Sequence, residues 1–146
     1  MKLSKHFSDW ELVSPYLLET IHFFKVPVEW YINQASIECL ENIRVYFNKP
    51  LFVNVNKYMV DKHGFKEEMY KRGICSDQEC LDVGRHITSQ HCRHGAFDIT
   101  ILDINIDDVV KYIENNTNVK GLGIDVNRNL VHLDFRNSKE IIKWTY

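Results

Sequence analysis

Two short segments in which apolar and polar residues alternate constrain the fold more than any other feature of the sequence. They are residues 96–101 and residues 130–136. Alternation with a period of two is typical of a β-strand whose two faces meet different surroundings. We therefore predict two strands, each with one apolar face turned towards a core and one polar face turned away from it.

The polar faces of these strands carry residue types that bind metals. Alternation leaves Asp98 on the polar face of the first strand, and leaves His132, Asp134 and Arg136 on that of the second. His91 precedes Asp98 by seven residues and can fold back over the same face. If both strands belong to one sheet, His91, Asp98 and His132 supply two imidazoles and one carboxylate. That is a common three-ligand set for catalytic zinc, which keeps a fourth position for water.

Spacing alone leaves simpler interpretations open. A histidine beside an aspartate is more often a hydrogen-bonded pair than a metal site, and short motifs often mislead. Asp134 and Arg136 can equally form a surface ion pair. The pattern identifies no partner for the remaining histidines, which we interpret as structural: His6, His22, His63 and His86.

The rest of the chain predicts one α+β domain over residues 1–146, with a small, mainly antiparallel sheet flanked by helices. Ser8 and Glu11 have the spacing of a capping box and predict a short helix. Apolar residues at spacings of three and four predict a long helix over 28–47 and a second one from Ile106 to Ile113. Further strands are expected at 51–55 and 119–124, the latter joined to 130–136 by a turn at 125–129.

Residues 57–90 show no periodicity, and a loop of that length in a small domain is more often functional than idle. The four cysteines, none of them in a C-x2-C pair, do not indicate a zinc finger or a thioredoxin-type motif. Cys75 and Cys80 are able to form a disulfide with each other or to bind a metal, but their spacing does not require either. We expect all four cysteines to be reduced and structural, with Cys39 buried in the long helix.

Composition excludes several functional classes. Apolar residues make up 45% and charged residues 26%, as in ordinary globular domains, and the net charge is -2. This balance argues against nucleic-acid binding through bulk positive charge. No apolar run approaches the roughly 20 residues of a membrane span. The first residues lack the apolar core of a secretion signal, so we expect cytoplasmic synthesis.

The order of the motifs resembles a known family. The patterns S-x-H-x6-D, from Ser89 to Asp98, and H-x-D-x-R, from His132 to Arg136, resemble the zinc D-Ala-D-Ala carboxypeptidase and L-alanyl-D-glutamate endopeptidase family, whose fold is shared with the hedgehog signalling domain. Three further segments resemble family segments in the same order: Leu3-Ser4-Lys5-His6-Phe7 with Trp10-Glu11-Leu12, Asn42-Ile43-Arg44 with Lys49-Pro50-Leu51, and Gly121-Leu122-Gly123-Ile124.

The resemblance implies a role for each site residue. His91, Asp98 and His132 carry over as ligands of one Zn²⁺. Many members place the acidic general base three residues before the last ligand, where this chain has Asn129. We therefore expect Asp134 as the base, with Asp125 as the alternative.

The same comparison implies residues that bind the substrate. Arg72, with Arg85 as the alternative, is expected to hold a substrate carboxylate, because the guanidinium fork matches a carboxylate. Ser89 is a second expected substrate-binding residue. His94 replaces the usual glycine of the family and is expected either to hydrogen-bond a developing oxyanion or to be a solvent-exposed loop residue.

Two functions follow from these expectations. The first is a zinc peptidase that cleaves peptidoglycan stem peptides. The second is a zinc-binding structural or wall-binding module on the same fold without catalysis, which Asn129 favours. Because a secretion signal is not visible, the expected origin is a phage or prophage, with action after phage-mediated release or as part of a virion.

Overall fold

The computed structural model describes residues 1–53, 73–82, 84–86, 88–93 and 95–146. Helices occupy the N-terminal part of the chain and strands dominate the C-terminal part. In chain order the elements are α1 (Asp9–Leu12), α2 (Pro15–Phe24), a 3₁₀ turn (Val28–Trp30), α3 (Gln34–Phe47), β1 (Leu51–Phe52), α4 (Asp77–Asp82), β2 (Ala96–Ile101), α5 (Ile106–Asn116), β3 (Gly121–Asp125), β4 (Leu130–Asp134) and β5 (Ile142–Thr145).

The five described strands form one mixed sheet in the order β1-β2-β4-β3-β5. The pairs β1–β2, β2–β4 and β3–β4 are antiparallel, and β3–β5 is parallel. This confirms the α+β class and the prediction that antiparallel pairing predominates. β4 lies at the centre of the sheet, so that His132, in the middle of β4, has a strand on either side.

One face of the sheet belongs to the apolar core, and the core also includes residues of α3 and α5. The alternation predicted for β2 and β4 explains which residues face inwards. The core residues from these elements include Phe97, Ile99, Leu122, Val131 and Leu133 from the sheet, Ile37, Leu40 and Ile43 from α3, and Val109, Val110 and Ile113 from α5. The opposite face of β2 and β4 is therefore left for polar side chains.

Several predicted boundaries were wrong for local reasons. The helix predicted over 28–47 is a 3₁₀ turn followed by α3, because the Asn33 side chain accepts a hydrogen bond from the Ala35 N–H at 2.8 Å and caps the helix there. The strand predicted at 119–124 runs from Gly121 to Asp125, and the strand predicted at 130–136 ends at Asp134. The predictions for α1, for β2 and for a helix from Ile106 are confirmed.

Three described elements were not predicted. Pro15 is the first residue of α2, where a proline is favoured, and the Ser14 side chain caps the helix through the Leu17 N–H. α4 lies within the stretch that shows no periodicity. It has six residues and one buried side chain, Cys80, and so it lacks the apolar stripe by which a helix is predicted. β5 is four residues long and largely exposed. Within the described residues, no helix has both the length and the apolar character that crossing a bilayer requires.

The expectation that all four cysteines are reduced was wrong for two of them. Cys80 and Cys92 form a disulfide, because α4 brings their Cα atoms to 6.4 Å, within the range that a disulfide spans. Cys39 and Cys75 are buried and take no part in this disulfide. Burial raises the pKa of the Cys39 thiol to about 11, consistent with its predicted structural role in α3.

Candidate metal centre

The three predicted ligands come together on the polar face of the sheet. Asp98 on β2 is directly opposite His132 on β4 in the antiparallel register. His91 lies in the turn at 88–93, called here the ligand turn, which leads into β2. All three residues are buried. Within the described part of the chain, they are the one group of histidine, cysteine and acidic residues whose donor atoms converge closely enough for a metal.

The ligand atoms form a triangle of the size that zinc requires. His91 Nε2 is 3.2 Å from His132 Nδ1 and 3.3 Å from Asp98 Oδ1, and His132 Nδ1 is 2.8 Å from Asp98 Oδ1. Ligands about 2.0–2.1 Å from a tetrahedral zinc lie about 3.3–3.4 Å apart. Two sides of the triangle match this spacing, and the third opens by about half an ångström to reach it.

The second nitrogen of each imidazole has an oxygen partner outside the triangle. His91 Nδ1 is 3.1 Å from the main-chain carbonyl of Gly73, and His132 Nε2 is 3.0 Å from Asp134 Oδ2. When each of these nitrogens donates its proton outwards, His91 Nε2 and His132 Nδ1 present lone pairs to the triangle. Two lone pairs and a carboxylate oxygen then face one another, and only a shared proton or a metal cation satisfies all three. Such outer partners are characteristic of histidines that bind metals.

Asp134 supports His132 and does not face the cleft. Its carboxylate, with a side chain that is 0% exposed, accepts hydrogen bonds from Arg136 Nε at 2.7 Å and Nη2 at 2.5 Å in addition to that from His132. Burial raises the pKa of Asp134, but these hydrogen bonds outweigh burial and hold the pKa well below its ordinary value. A carboxylate engaged in this way is poorly suited to take a proton as a general base.

The charges of the cluster favour the charged forms of His132 and Asp98. Burial lowers the pKa of His132, but hydrogen bonds and charge from Asp134 and Asp98 outweigh it and raise the pKa above its ordinary value. Burial raises the pKa of Asp98, but the charge and hydrogen bonds of His91 and His132 hold it well below its ordinary value. The cluster therefore attracts a cation at its centre.

Two glycines of β3 make room for the site. Gly121 is opposite Asp134 and Gly123 is opposite His132. A Cβ at Gly121 would overlap the Asp134 carboxylate, and one at Gly123 would lie 2.6 Å from the Trp144 indole. The indole is therefore free to pack near His132, with ring centroids 5.2 Å apart. The G-x-G pattern noted in the sequence has this steric purpose.

The metal-ligand triangle borders a cleft of about 460 Å³. Arg85, Arg128 and Arg136 line it, and the Arg128 and Arg136 guanidinium groups lie over the rings of Tyr146 and Trp144 at 5.7 and 5.3 Å from the ring centroids. Among the described residues that line the cleft, Asp98 is the single carboxylate. Arg128 and Arg136 are each bonded to a carboxylate outside this lining, Asp125 and Asp134. The three guanidinium groups are therefore balanced by three carboxylates, and the cleft offers an anionic ligand hydrogen-bond donors without a net positive charge.

The structure places the other predicted site residues in different ways. Ser89 and the alternative arginine, Arg85, line the cleft. Asp125 is not among the described lining residues, and hydrogen bonds from Arg128 hold its pKa below the ordinary value. Arg72 and His94 lie outside the described residues.

Sequence reasoning missed several residues of the cleft. Arg128 was read only as part of the turn before β4, while Trp144 and Tyr146 lie in or beside a strand that was not predicted. His86, interpreted as structural, lines the cleft, and its Nδ1 lies 3.2 Å from the Thr88 N–H, which donates to it. An aromatic pair two residues apart was the available signal for β5, because alternate residues of a strand share one face.

The three proposed ligands and their outer hydrogen-bond partners are therefore identified from the geometry of this chain. The cluster fits Zn²⁺ by ligand type, by spacing and by the hydrogen bonds that orient both histidines. No family model, curated protein or solved structure matches this chain.

Proposed function

We propose that the protein is a zinc-dependent peptidase that cleaves peptidoglycan stem peptides, of the D-Ala-D-Ala carboxypeptidase or L-alanyl-D-glutamate endopeptidase type. The observation that carries the proposal is the convergence of His91 Nε2, His132 Nδ1 and Asp98 Oδ1 beside an open cleft, with both outer imidazole nitrogens bonded to oxygen. Zinc, when bound, supplies a Lewis acid that polarises a carbonyl group and lowers the pKa of a coordinated water.

The guanidinium groups that line the cleft support a peptide that carries carboxylates. Stem peptides of peptidoglycan have free carboxylates, and Arg85 lines the cleft and is assigned to pair with one of them. Arg128 also lines the cleft, but it is bonded to Asp125 and would have to exchange that partner for a substrate carboxylate. Ser89 adds a hydroxyl that can donate to the substrate. Arg136 is engaged by Asp134, so its main contribution is to hold the carboxylate that orients His132. Arg72 remains a prediction for the same substrate-binding role.

Both carboxylates expected as proton acceptors are bonded to other side chains. Asp134 is enclosed behind His132, and Asp125 is bonded to Arg128. With Asp98 as the single carboxylate among the described lining residues, the second candidate function is a zinc-binding module that holds wall peptides without cutting them. That observation favours the module, whereas the zinc geometry suits either function.

Hydrolysis of defined muropeptides separates the two functions. Protein loaded with one zinc per chain is incubated with purified muropeptides, and released D-alanine and new amino groups are quantified, with His132→Ala as the matched inactive control. We expect release by the unsubstituted protein and none by the variant. Binding to sacculi without release favours the module, and neither binding nor release overturns both functions.

We also propose that the protein reaches the cell wall after phage-mediated release or as part of a virion. The expected phage origin and a substrate that lies outside the membrane support this proposal. Quantifying the protein in purified virions and in cleared lysates of the same culture tests it. Presence in either fraction of a phage-producing culture supports the proposal, and an equal amount in uninduced cells contradicts it.

A further inference from the structure

The disulfide joins the metal centre to a separate part of the fold. Cys92 immediately follows the ligand His91 in the ligand turn, and Cys80 lies in α4. Both cysteines are buried, and Cys75 belongs to the same buried cluster. The covalent bond therefore acts one residue away from a proposed zinc ligand.

α4 is fixed to the body of the protein through Glu79. Its carboxylate accepts hydrogen bonds from the Ser14 hydroxyl at 2.6 Å and from the Ser76 N–H at 2.9 Å. Ser14 is also the N-cap of α2 and donates its backbone N–H to the Ile74 carbonyl at 2.8 Å. Through these contacts the disulfide ties the ligand turn to an anchored element.

The other described hydrogen bonds of the ligand turn are mostly local. Cys92 and Arg93 donate their backbone N–H groups to the Ser89 carbonyl at 3.0 Å, which shapes the turn without fixing its place on the sheet. His91 itself is held by the Cys75 N–H, which donates to the His91 carbonyl at 3.3 Å, and by the Gly73 carbonyl. Without the disulfide, His91 would depend on these two hydrogen bonds, on its Nε2 contacts with His132 and Asp98, and on the chain leading into β2.

We propose that the Cys80–Cys92 disulfide is a redox control of the metal centre, so that the protein binds zinc tightly only after this bond has formed. The inference rests on the zinc site of the proposed function. In the forming step, the two thiols lose two protons and two electrons as the sulfur–sulfur bond forms. A disulfide co-reactant such as oxidised glutathione takes them up and becomes two thiols. A dithiol reductant reverses the step and frees the ligand turn.

The test compares zinc affinity with and without the bond. Zinc dissociation constants are measured by competition with a chromophoric chelator for the oxidised protein and for the double variant Cys80→Ala/Cys92→Ala. Cys39→Ala is the matched control, because it removes a buried cysteine from α3. We expect the double variant to bind zinc about tenfold or more weakly, the size of effect seen when a ligand loses its outer support. The control should match the unsubstituted protein.

Two further measurements keep the result decisive. Thiol titration under denaturing conditions should find two free thiols in the oxidised protein, and circular dichroism should show that the double variant is folded. Limited trypsin digestion should cut after Arg93 faster in the metal-free double variant than in the metal-free oxidised protein. This measurement reports release of the ligand turn independently of zinc. Four free thiols, or equal zinc affinity and equal digestion, would overturn the redox control and leave the peptidase proposal standing. Absence of zinc binding in every form would overturn both.

Discussion

At the scale of single residues, His132 is the centre of the site because each of its ring nitrogens faces a carboxylate. Nδ1 is 2.8 Å from Asp98 and Nε2 is 3.0 Å from Asp134. Asp98 and His91 complete the triangle on one side of the ring, and Asp134 supports the other side. Loss of the ring therefore removes a ligand and also leaves two acidic side chains without their shared partner.

The first prediction concerns that ring. His132→Ala should reduce the zinc content from about one ion per chain to background, because two ligands do not hold zinc against a chelator. Elemental analysis of untagged, dialysed protein measures this content. His22→Ala is the control, since His22 is largely exposed and lies 3.6 Å from Asp9, which is not one of the proposed zinc ligands. Equal zinc content in both variants would contradict the assignment of His132.

The second prediction separates two roles for Asp134. Asp134→Asn keeps an oxygen that can accept the His132 proton but removes the charge, so zinc affinity should fall by about 10–100-fold. Asp103→Asn is the matched control, because Asp103 is exposed and asparagine tolerates its positive φ of 60°. Chelator competition measures both. Unchanged zinc affinity with lost hydrolysis would instead favour Asp134 as the general base.

At the scale of elements, β3 matters because it lacks side chains where β4 and β5 need space. The row from Asp98 through His132 and Gly123 to Trp144 crosses four neighbouring strands. Each strand contributes one member of this row, and the glycine is the member that allows the indole to approach the imidazole. A strand that merely paired with β4 would not produce the same site.

The third prediction tests this steric requirement. Gly121→Ala and Gly123→Ala should each lower the free energy of unfolding by about 1–3 kcal/mol, the usual cost of forcing a methyl group into a packed region. Urea denaturation measures the change. Gly95→Ala is the control, because a Cβ there would meet other atoms only at 3.6 Å or more. Equal stability of all three variants would show that β3 relaxes freely.

The elements differ in how far the sequence determines them. β2 and β4 could be predicted because both faces of each strand leave an alternating signal, and the ligands Asp98 and His132 follow from that signal. α2 was not predicted, although Pro15 is its first residue and proline is favoured at that position of a helix. The carbonyl of Gly73 could not be predicted, since a main-chain acceptor 18 residues from His91 leaves no trace in side-chain pattern.

At the scale of the whole molecule, proton binding and metal binding compete for one cluster. The pKa of His132 is raised in the folded protein, so the stability from its protonated form is fully present below its unfolded value of about 6.5. That stability is lost as the pH rises through the folded pKa. Zinc needs the unprotonated ring, and its contribution to stability therefore grows as the proton leaves.

The fourth prediction follows from that competition. The increase in melting temperature caused by zinc should be larger at pH 8 than at pH 6, and a chelator should remove it at both values. Differential scanning calorimetry at fixed zinc concentration measures the increase. In His132→Ala the dependence on pH should disappear together with the zinc effect. A constant increase across this range would mean that the ring does not exchange a proton for the metal.

The position of β4 in the middle of the sheet also sets the order in which the protein can be made. β2 is complete at Ile101, but its central partner ends only at Asp134. At about 5–20 residues per second, ribosomes need roughly 2–7 s for the intervening segment. Until then β2 is paired only with the two-residue β1, and its other edge stays open. A translational pause that holds β4 inside the ribosome after β2 has emerged should therefore favour aggregation of the nascent chain, whereas a pause after both strands have emerged should not.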